Sequence, residues 1–352
     1  MDRRTALQAG LMLVCSSTAG CLGSMFETRS VYAPPPLLED RPKAVYVPTH
    51  REGMQRIDTI SNGGLTLTVF YSYPHRFWTV TDTYTKKIPY DESETIHLMT
   101  TLTDGDQTVG LPASNLQITI SNDSETVVTK RLWSMLSQNM GVHFGDNVTL
   151  AGAGTYTLDV TMDPITVRLA GGLSDLDPSS RTFSTTFEYD PNERDDISFR
   201  TLSERAGDRD ALTPMGAAQN EQLPTPESLA GSTMATLTSG DARLVVQRLE
   251  SPPNGTDGDD PYLAVSARTP YNRYPLVSMR LSATVVTGEG DRTETNLAPT
   301  ITPALGYHYG APVGALSGAD EITLQIKQPP QIARHEGYET AFLKMENPTV
   351  TL

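Results

Sequence analysis

The chain has 352 residues and a formal net charge of -15, because 42 acidic side chains outnumber 27 basic ones. A surface with this charge repels nucleic acid and anionic lipid, so we exclude both as binding partners. The length is greater than that of one usual domain and predicts two hydrophobic cores.

The N-terminus has the order of charged, apolar and small residues that is typical of an export signal. Arg3 and Arg4 precede an apolar run at residues 11–14, which is too short to span a bilayer as a stable helix. The Thr-Ala-Gly sequence before Cys21 resembles a lipobox, in which the cysteine is acylated and the chain is cut before it. We therefore predict a signal peptide at residues 1–20 and a lipid on Cys21 that anchors the protein to the extracytoplasmic face of the cell membrane. An ordinary cleaved secretory signal is the alternative.

Residues 21–42 follow the signal and become rich in proline and charge, which favours a tether that holds the folded part off the membrane. No periodic apolar pattern is present in this segment. The only other cysteine, Cys15, lies in the signal, so the mature protein has no disulfide and depends on burial for its stability.

From residue 65 onward, short runs rich in Val, Thr, Ile and Tyr alternate with Gly, Asp and Asn, as in antiparallel sandwiches. At residues 193–235 charged residues and proline replace this pattern, which resumes after residue 235. The fold class predicted is all-β, with two immunoglobulin-like antiparallel β-sandwiches in tandem. We place the first at residues 43–192 and the second at residues 236–352, with 193–235 as their linker.

Both halves contain a histidine between aromatic and glycine residues, one loop before a strand-like run. The first copy is Gly141-Val142-His143-Phe144-Gly145, and the second is Gly306-Tyr307-His308-Tyr309-Gly310. This repetition indicates an internal duplication.

Histidine and methionine occur together in the first half. His97 and Met99 lie two residues apart in a strand-like run, so both side chains point to the same face of the sheet. Met135, Met140 and His143 follow within a short stretch. Nitrogen and sulfur donors suit copper better than calcium or magnesium, although each residue alone is more often a packing or surface group.

The segment from Trp133 to Val148 resembles the periplasmic iron-transport proteins, which bind copper and iron on an immunoglobulin-like sandwich. That family binds metal through a His-x-Glu strand, a methionine, the histidine of a His-Tyr-Gly motif and a late Arg-His. His97 matches the histidine of the strand, and Met99 stands where the glutamate would be. The acidic, lysine-poor composition resembles a two-domain variant from halophilic archaea.

Neither half contains the whole motif set. The first half has no Arg-His, whereas the second keeps His308 and Arg334-His335-Glu336 but has no His-x-Glu strand. The resemblance implies one site in the first half and a pairing of His308 with His335 in the second. The implied metal ligands are His97, Met99, Met135, His143, His308 and His335, and the further ligand or supporting positions are His50, Met54, Met140 and Glu336. His75 is expected to be structural or part of a binding surface.

No catalytic signature is present, so we do not predict an enzyme. The leading hypothesis is a metal-binding lipoprotein with copper or iron as its ion, accessory to iron uptake beside a membrane iron permease. One alternative is an immunoglobulin-like surface module that binds no metal. Another is a decayed metal site that has left a docking domain. Whether the protein forms a homodimer stays open.

Overall fold

The computed structural model describes residues 34–106, 109–112, 115–123, 125–216 and 221–352. The signal peptide, Cys21 and the first part of the tether lie outside these residues, so the lipid anchor stays a prediction. Within the described ranges, no helix is long and apolar enough to cross a membrane.

Short strands make up most of the regular structure, as the β-branched runs predict. The strands before residue 202 are β1 (His50–Glu52), β2 (Gln55–Asn62), β3 (Leu65–Ser72), β4 (Phe77–Thr81), β5 (Tyr84–Ile88), β6 (Ile96–Asp104), β7 (Leu116–Asn122), β8 (Glu125–Arg131), β9 (Trp133–Ser137), β10 (Gly141–Val148), β11 (Gly154–Met162), β12 (Arg168–Leu169), β13 (Arg181–Tyr189) and β14 (Phe199–Thr201). Between them lie a 3-10 turn at Gly171–Leu173 and the short helix α1 at Pro191–Asp195, which the side chain of Asp190 caps.

The later part of the chain is also built from strands. They are β15 (Ser232–Ser239), β16 (Ala242–Leu249), β17 (Tyr262–Arg268), β18 (Arg280–Thr287), β19 (Arg292–Thr302), β20 (Gly306–Pro312), β21 (Ala319–Gln328), β22 (Ala333–Arg334) and β23 (Thr349–Thr351). Of two 3-10 turns in this part, Pro226–Ser228 precedes β15 and Gly314–Gly318 lies between β20 and β21. The prediction of an all-β fold of antiparallel sandwiches is confirmed.

The first sandwich packs an eight-stranded sheet, in the order β2-β3-β6-β10-β9-β22-β4-β5, against the four-stranded sheet β13-β11-β7-β8. Alternation along β6 explains how the two faces of the large sheet differ. Ile96, Leu98 and Leu102 point into the shared hydrophobic core, whereas His97 and Met99 point to the opposite face. That opposite face carries the candidate site.

The second sandwich is formed by strands β15 to β23, apart from β22, and the long strand β19 serves both of its layers. The first half of β19 pairs with β18, and its second half pairs with β20. Because β19 changes partners along its length, it belongs to both layers and connects them by hydrogen bonds.

Three pairings connect elements that are distant in the sequence. Strand β22 lies between β9 and β4 of the first sandwich, parallel to β9. Strand β12 pairs with β19, and β14 pairs with β1. The C-terminal part of the chain therefore contributes a strand to the sheet of the first sandwich. The exact domain and linker limits stay a prediction.

Candidate metal centre

Three neighbouring strands of the large sheet place soft donors on its outer face. His143 on β10 lies directly opposite Met135 on β9, and both alternate with core residues. On the other side of β10, Asn147 lies opposite His97 on β6. Side chains directly opposite on antiparallel strands have their Cβ atoms about 5 Å apart, so the sheet itself assembles this group.

The remaining members come from outside regular strands. His75 precedes β4, and His335 follows β22 immediately, so the pairing of β22 with β9 delivers it beside Met135. One ring nitrogen from each of His75, His97 and His335 lies within 4.8 Å of the other two. The His335 ring centroid is 5.1 Å from that of His143, and its Nε2 lies 3.3 Å from the Met135 sulfur.

Each of three imidazoles is held by its Nδ1 atom. His97 Nδ1 lies 2.7 Å from the Asn147 side-chain oxygen, and His143 Nδ1 lies 3.1 Å from the carbonyl oxygen of Gly141. His75 Nδ1 lies 3.1 Å from a carboxylate oxygen of Glu52. These oxygens accept a hydrogen bond from the Nδ1–H group, which fixes the tautomer and leaves the lone pair on Nε2.

The three Nε2 atoms of these histidines are buried and have no hydrogen-bond partner. Buried polar atoms without partners are rare in native proteins, because each one forfeits its bonds to water. A bound metal ion satisfies this requirement directly, since the neutral imidazole nitrogen is a metal ligand. The buried Nε2 atoms without partners are therefore the feature of the site that best fits a metal ion.

Burial keeps these imidazoles neutral. Burial lowers the pKa of His143 to about 4 and holds the pKa of His97 well below its ordinary value, and a positive charge on neighbouring His75 would lower both further. Burial and the same charge also hold the pKa of His335 well below its ordinary value. Neutral imidazole is the form that binds metal, so these groups keep their donor capacity into mildly acidic solution.

Glu52 supplies the nearest negative charge. Burial alone would raise the pKa of its carboxyl, but the charges and hydrogen bonds of His75 and His50 outweigh burial and lower that pKa. Its two oxygens lie 3.1 Å from His75 Nδ1 and 3.1 Å from His50 Nε2. A carboxylate behind a ligating histidine orients the ring and increases its basicity.

Gly145 leaves the space that the His97 ring fills. A Cβ atom at residue 145 would lie 2.8 Å from His97 Nε2 and 3.0 Å from the carbonyl oxygen of Leu98. Only glycine leaves room for the His97 ring at this position of β10, which explains the second glycine of the Gly-Val-His-Phe-Gly motif.

A cavity of about 80 Å³ opens beside the histidines and connects them with solvent. Its lining includes His75 and His335 together with Met54, Met99 and Met140. Glu336 also lines it, but its carboxylate is already bound by Arg76 at 2.6 Å and by the backbone amide of Thr49 at 2.8 Å.

The donor group fits one metal ion. A metal–nitrogen bond is about 2 Å long, so two nitrogens on one ion lie at most about 4 Å apart. The ring nitrogens of His75, His97 and His335 lie within 4.8 Å of one another. Bringing them to one ion therefore requires each distance to shorten by less than about 1 Å. Imidazole nitrogens with a thioether form a soft donor set that suits copper, and imidazole also suits iron.

The structure brings together four of the ligands predicted from sequence, namely His97, Met135, His143 and His335. Met99 lies on the same face as His97, and Met54 and Met140 pack with it. His308 lies elsewhere, on β20, where its Nε2 is 3.2 Å from the Tyr262 hydroxyl. The expected pairing of His308 with His335 is thus not among the described contacts, and His335 contacts residues of the first half.

Sequence reasoning assigned no metal role to His75, Glu52 or Asn147. His75 and Glu52 approach the site only through tertiary packing of loop segments, so no local pattern signals them. Asn147 had a signal in its strand, because a polar residue four positions after His143 points to the same face.

Replacing Asn147 with alanine is expected to lower metal affinity by about 10–100-fold, the usual effect of losing a group that orients a ligand. Its side-chain oxygen holds His97 Nδ1, and its amide donates to the carbonyl oxygen of His75 at 3.0 Å. Competition with a chromophoric chelator measures the change. The matched control is Asn272→Ala, which removes a buried asparagine bonded to the Leu212 carbonyl oxygen. Equal affinities for the two variants would contradict the orienting role.

Comparison with known proteins gives matches for both parts of the chain. Residues 92–190 match the family described as Fe2+ transport protein, which confirms the family resemblance for this segment. Residues 227–351 match a domain of unknown function, DUF7350. No curated protein matches the chain.

Solved structures also show similarity to part of the chain. FetP of uropathogenic E. coli strain F11 is 15% identical over 39% of this chain and 96% of its own, with a TM-score of 0.29. The copper-reconstituted P19 protein from Campylobacter jejuni is 15% identical over 39% of this chain and 96% of its own, with a TM-score of 0.28.

Proposed function

We propose that this protein is an extracytoplasmic, lipid-anchored metal-binding protein that assists iron uptake, with copper or iron as its bound ion. One observation carries the proposal: His75 and His97 have buried Nε2 atoms without partners in the described part of the chain, and a ring nitrogen of each lies within 4.8 Å of one of His335, which contacts the Met135 thioether. A protein that folds around such unsatisfied groups gains stability when an ion binds to them.

The chain supplies the following residues to the ion. His97, His143 and His335 provide nitrogen donors, and Met135 provides sulfur. His75 adds a further imidazole whose Nε2 has no partner. The bound ion would be a soft cation that can be transported or can change its oxidation state. The nitrogen and sulfur donors select such an ion over calcium and magnesium, which prefer oxygen ligands.

Supporting residues orient the donors and exclude competing contacts. Asn147 fixes the His97 ring, Gly141 fixes His143, and Glu52 fixes His75. The carboxylate of Glu52 also places a negative charge behind the imidazoles, which favours a cation over a neutral molecule. The adjoining cavity gives the ion a route from solvent.

A role in iron uptake is supported by the match of residues 92–190 to the Fe2+ transport family. Such a protein would act next to a membrane iron permease, and lipid on Cys21 would keep it there. The signal peptide and the lipid on Cys21 are predictions from sequence, so the anchor needs its own test. The mature protein is expected to be labelled by palmitate, and this label is expected to disappear in Cys21→Ser.

Metal analysis of the mature protein tests the proposal. After chelator treatment and incubation with Cu(II) or Fe(II), the desalted protein is expected to retain one ion per chain. The double variant His97→Ala/His143→Ala is expected to retain none, since half of the core donor set is missing. Unchanged stoichiometry in the double variant, or no retained ion in the unaltered protein, would refute metal binding at this site.

A second measurement separates metal binding from transport. Host cells that carry the double variant are expected to take up iron more slowly when iron is scarce. Normal uptake by these cells, together with loss of the bound ion, would retain the metal site but contradict a role in iron supply.

A further inference from the structure

Three methionines form a cluster of their own beside the histidines. Met54, Met99 and Met140 pack together with Phe70, separate from the main hydrophobic core. Each methionine comes from a different segment: Met54 from the turn after β1, Met99 from β6, and Met140 from the turn between β9 and β10. Convergence from three segments requires tertiary folding and is not a consequence of local sequence.

The register of the sheet fixes where this cluster lies. Met99 stands two residues after His97 on the same face of β6, which separates their Cα atoms by about 7 Å. It lies opposite Gly145 on one side and Phe70 on the other. The space beside Gly145 is taken by the His97 ring, so the thioether of Met99 lies next to that imidazole along β6.

All three methionines line the cavity that leads to His75 and His335. Met99 and Met140 are 5% and 2% exposed, whereas Met54 is partly exposed and forms the outer edge of the cluster. The three methionines and the two histidines therefore line one cavity. Met162, for comparison, packs inside the main core.

The two carboxylates that line the same cavity are already engaged with protein groups, whereas the side-chain oxygen of Asn139 has no hydrogen-bond partner within the residues that the structure describes. Glu52 is held by His50, His75 and the Ser72 hydroxyl. Glu336 is held by Arg76 and the amide of Thr49. Thioether sulfur, by contrast, is only a weak hydrogen-bond acceptor and remains free to bind a soft ion.

We propose that Met54, Met99 and Met140 form a second metal site, specific for a monovalent soft cation, Cu(I). Neutral thioethers add no charge to the ion, so the site favours a monovalent soft ion and disfavours Fe(II), Zn(II) and calcium. Its place at the cavity makes it an entry position from which the ion moves inward to the histidines. The transfer changes ligands only and requires no electron transfer.

Silver(I) is a suitable probe because it is soft and monovalent and does not change oxidation state. The protein is labelled with ¹³C at the methionine methyl groups, and silver is added in steps. We expect the methyl resonances of Met54, Met99 and Met140 to shift together within the first two equivalents. The triple variant Met54→Leu/Met99→Leu/Met140→Leu is expected to bind one equivalent less.

Leucine conserves side-chain volume, so the triple variant should retain the fold. Met162→Leu is the matched control, since it makes the same change at a buried methionine away from the cavity, and it should leave the silver stoichiometry unchanged. Far-UV circular dichroism and melting curves verify folding of both variants.

The histidine variant His97→Ala/His143→Ala separates this proposal from the proposed function. Methyl shifts that persist in this variant support an independent thioether site, even if Cu(II) no longer binds. Three outcomes would overturn the second site: no shift of the three resonances, a shift of Met135 alone, or loss of all shifts in the histidine variant.

Discussion

Replacing His335 with alanine is expected to lower the affinity for Cu(II) by roughly 100-fold or more, because a ligand contributes at least as much as a group that merely orients one. His335 lies at the centre of the donor group. Its ring centroid is 4.8 Å from that of His75 and 5.5 Å from that of His97, and its Nε2 approaches the Met135 sulfur. Equilibrium competition with a chelator of known affinity measures the loss.

His308→Ala is the matched control for this prediction. His308 is a fully buried histidine in the same part of the chain, and burial lowers its pKa to about 4. Its Nδ1 and Nε2 are both engaged, with the carbonyl oxygen of Gly306 and the Tyr262 hydroxyl. Its removal should reduce stability and leave metal affinity unchanged. A His335→Ala protein that binds Cu(II) normally would exclude His335 as a ligand.

The role of His335 bears on how the two halves cooperate. His97, Met135 and His143 lie in the segment that matches the Fe2+ transport family, whereas His335 lies in the segment that matches the domain of unknown function. Strand β22 joins these segments by pairing with β9. The sequence shows two incomplete motif sets, and the fold combines members of both in one place.

Much of the large sheet follows from sequence pattern alone. Alternation in β6 correctly assigns His97 and Met99 to one face, since side chains of a strand alternate with a period of two. The tight connection between β9 and β10 also sets the register that places Met135 opposite His143. These donors depend on local geometry, which periodicity can predict.

Other donors depend on long-range packing, which periodicity does not contain. His335 reaches the site only because a two-residue strand inserts between β9 and β4, and a run that short has no recognisable alternation. His75 lies in a loop, and its position depends on the bonds that Asn147 makes with its backbone. Such contacts require knowledge of the whole fold.

The repeated glycine-histidine motif shows both the strength and the limit of pattern matching. Gly141 and Gly306 both adopt positive φ, at 72° and 64°, and both accept a hydrogen bond from the histidine two residues later. The local geometry is thus shared. The difference lies across the sheet, because β17 supplies Tyr262 to His308, whereas β9 supplies Met135 near His143.

The carboxyl of Glu221 is expected to lower the free energy of unfolding between about pH 5 and pH 9, and Glu221→Gln is expected to remove this loss. Glu221 is 5% exposed and packs against Gly110 and Gly141. Among the described residues, no cation pairs with its carboxylate. Burial raises the pKa of Glu221 to about 8 from an ordinary value of 4.5, so the folded protein holds this proton more tightly than the unfolded chain does.

The sign of the effect follows from linkage. A folded-state pKa above the unfolded value contributes stability that is fully present below pH 4.5 and is lost as pH rises through 8. The shift corresponds to several kcal/mol, on the order of 2–5, because each pKa unit is worth about 1.4 kcal/mol and relaxation of the buried site reduces the total. Glutamine keeps the shape and cannot ionise, so the variant should be the more stable protein at pH 9.

Urea unfolding at pH 5 and pH 9 measures this difference in the free energy of unfolding. Burial also raises the pKa values of Asp146 and Glu339 and lowers those of the buried histidines, but all these groups are present in both proteins and cancel when the two are compared. Glu227→Gln, a change at an exposed glutamate six residues away, is the matched control and should leave the pH dependence unaltered. If the free energy of unfolding changes equally between the two pH values in Glu221→Gln and in the unaltered protein, the carboxyl of Glu221 titrates like an exposed one. The pH dependence must then come from other titrating groups.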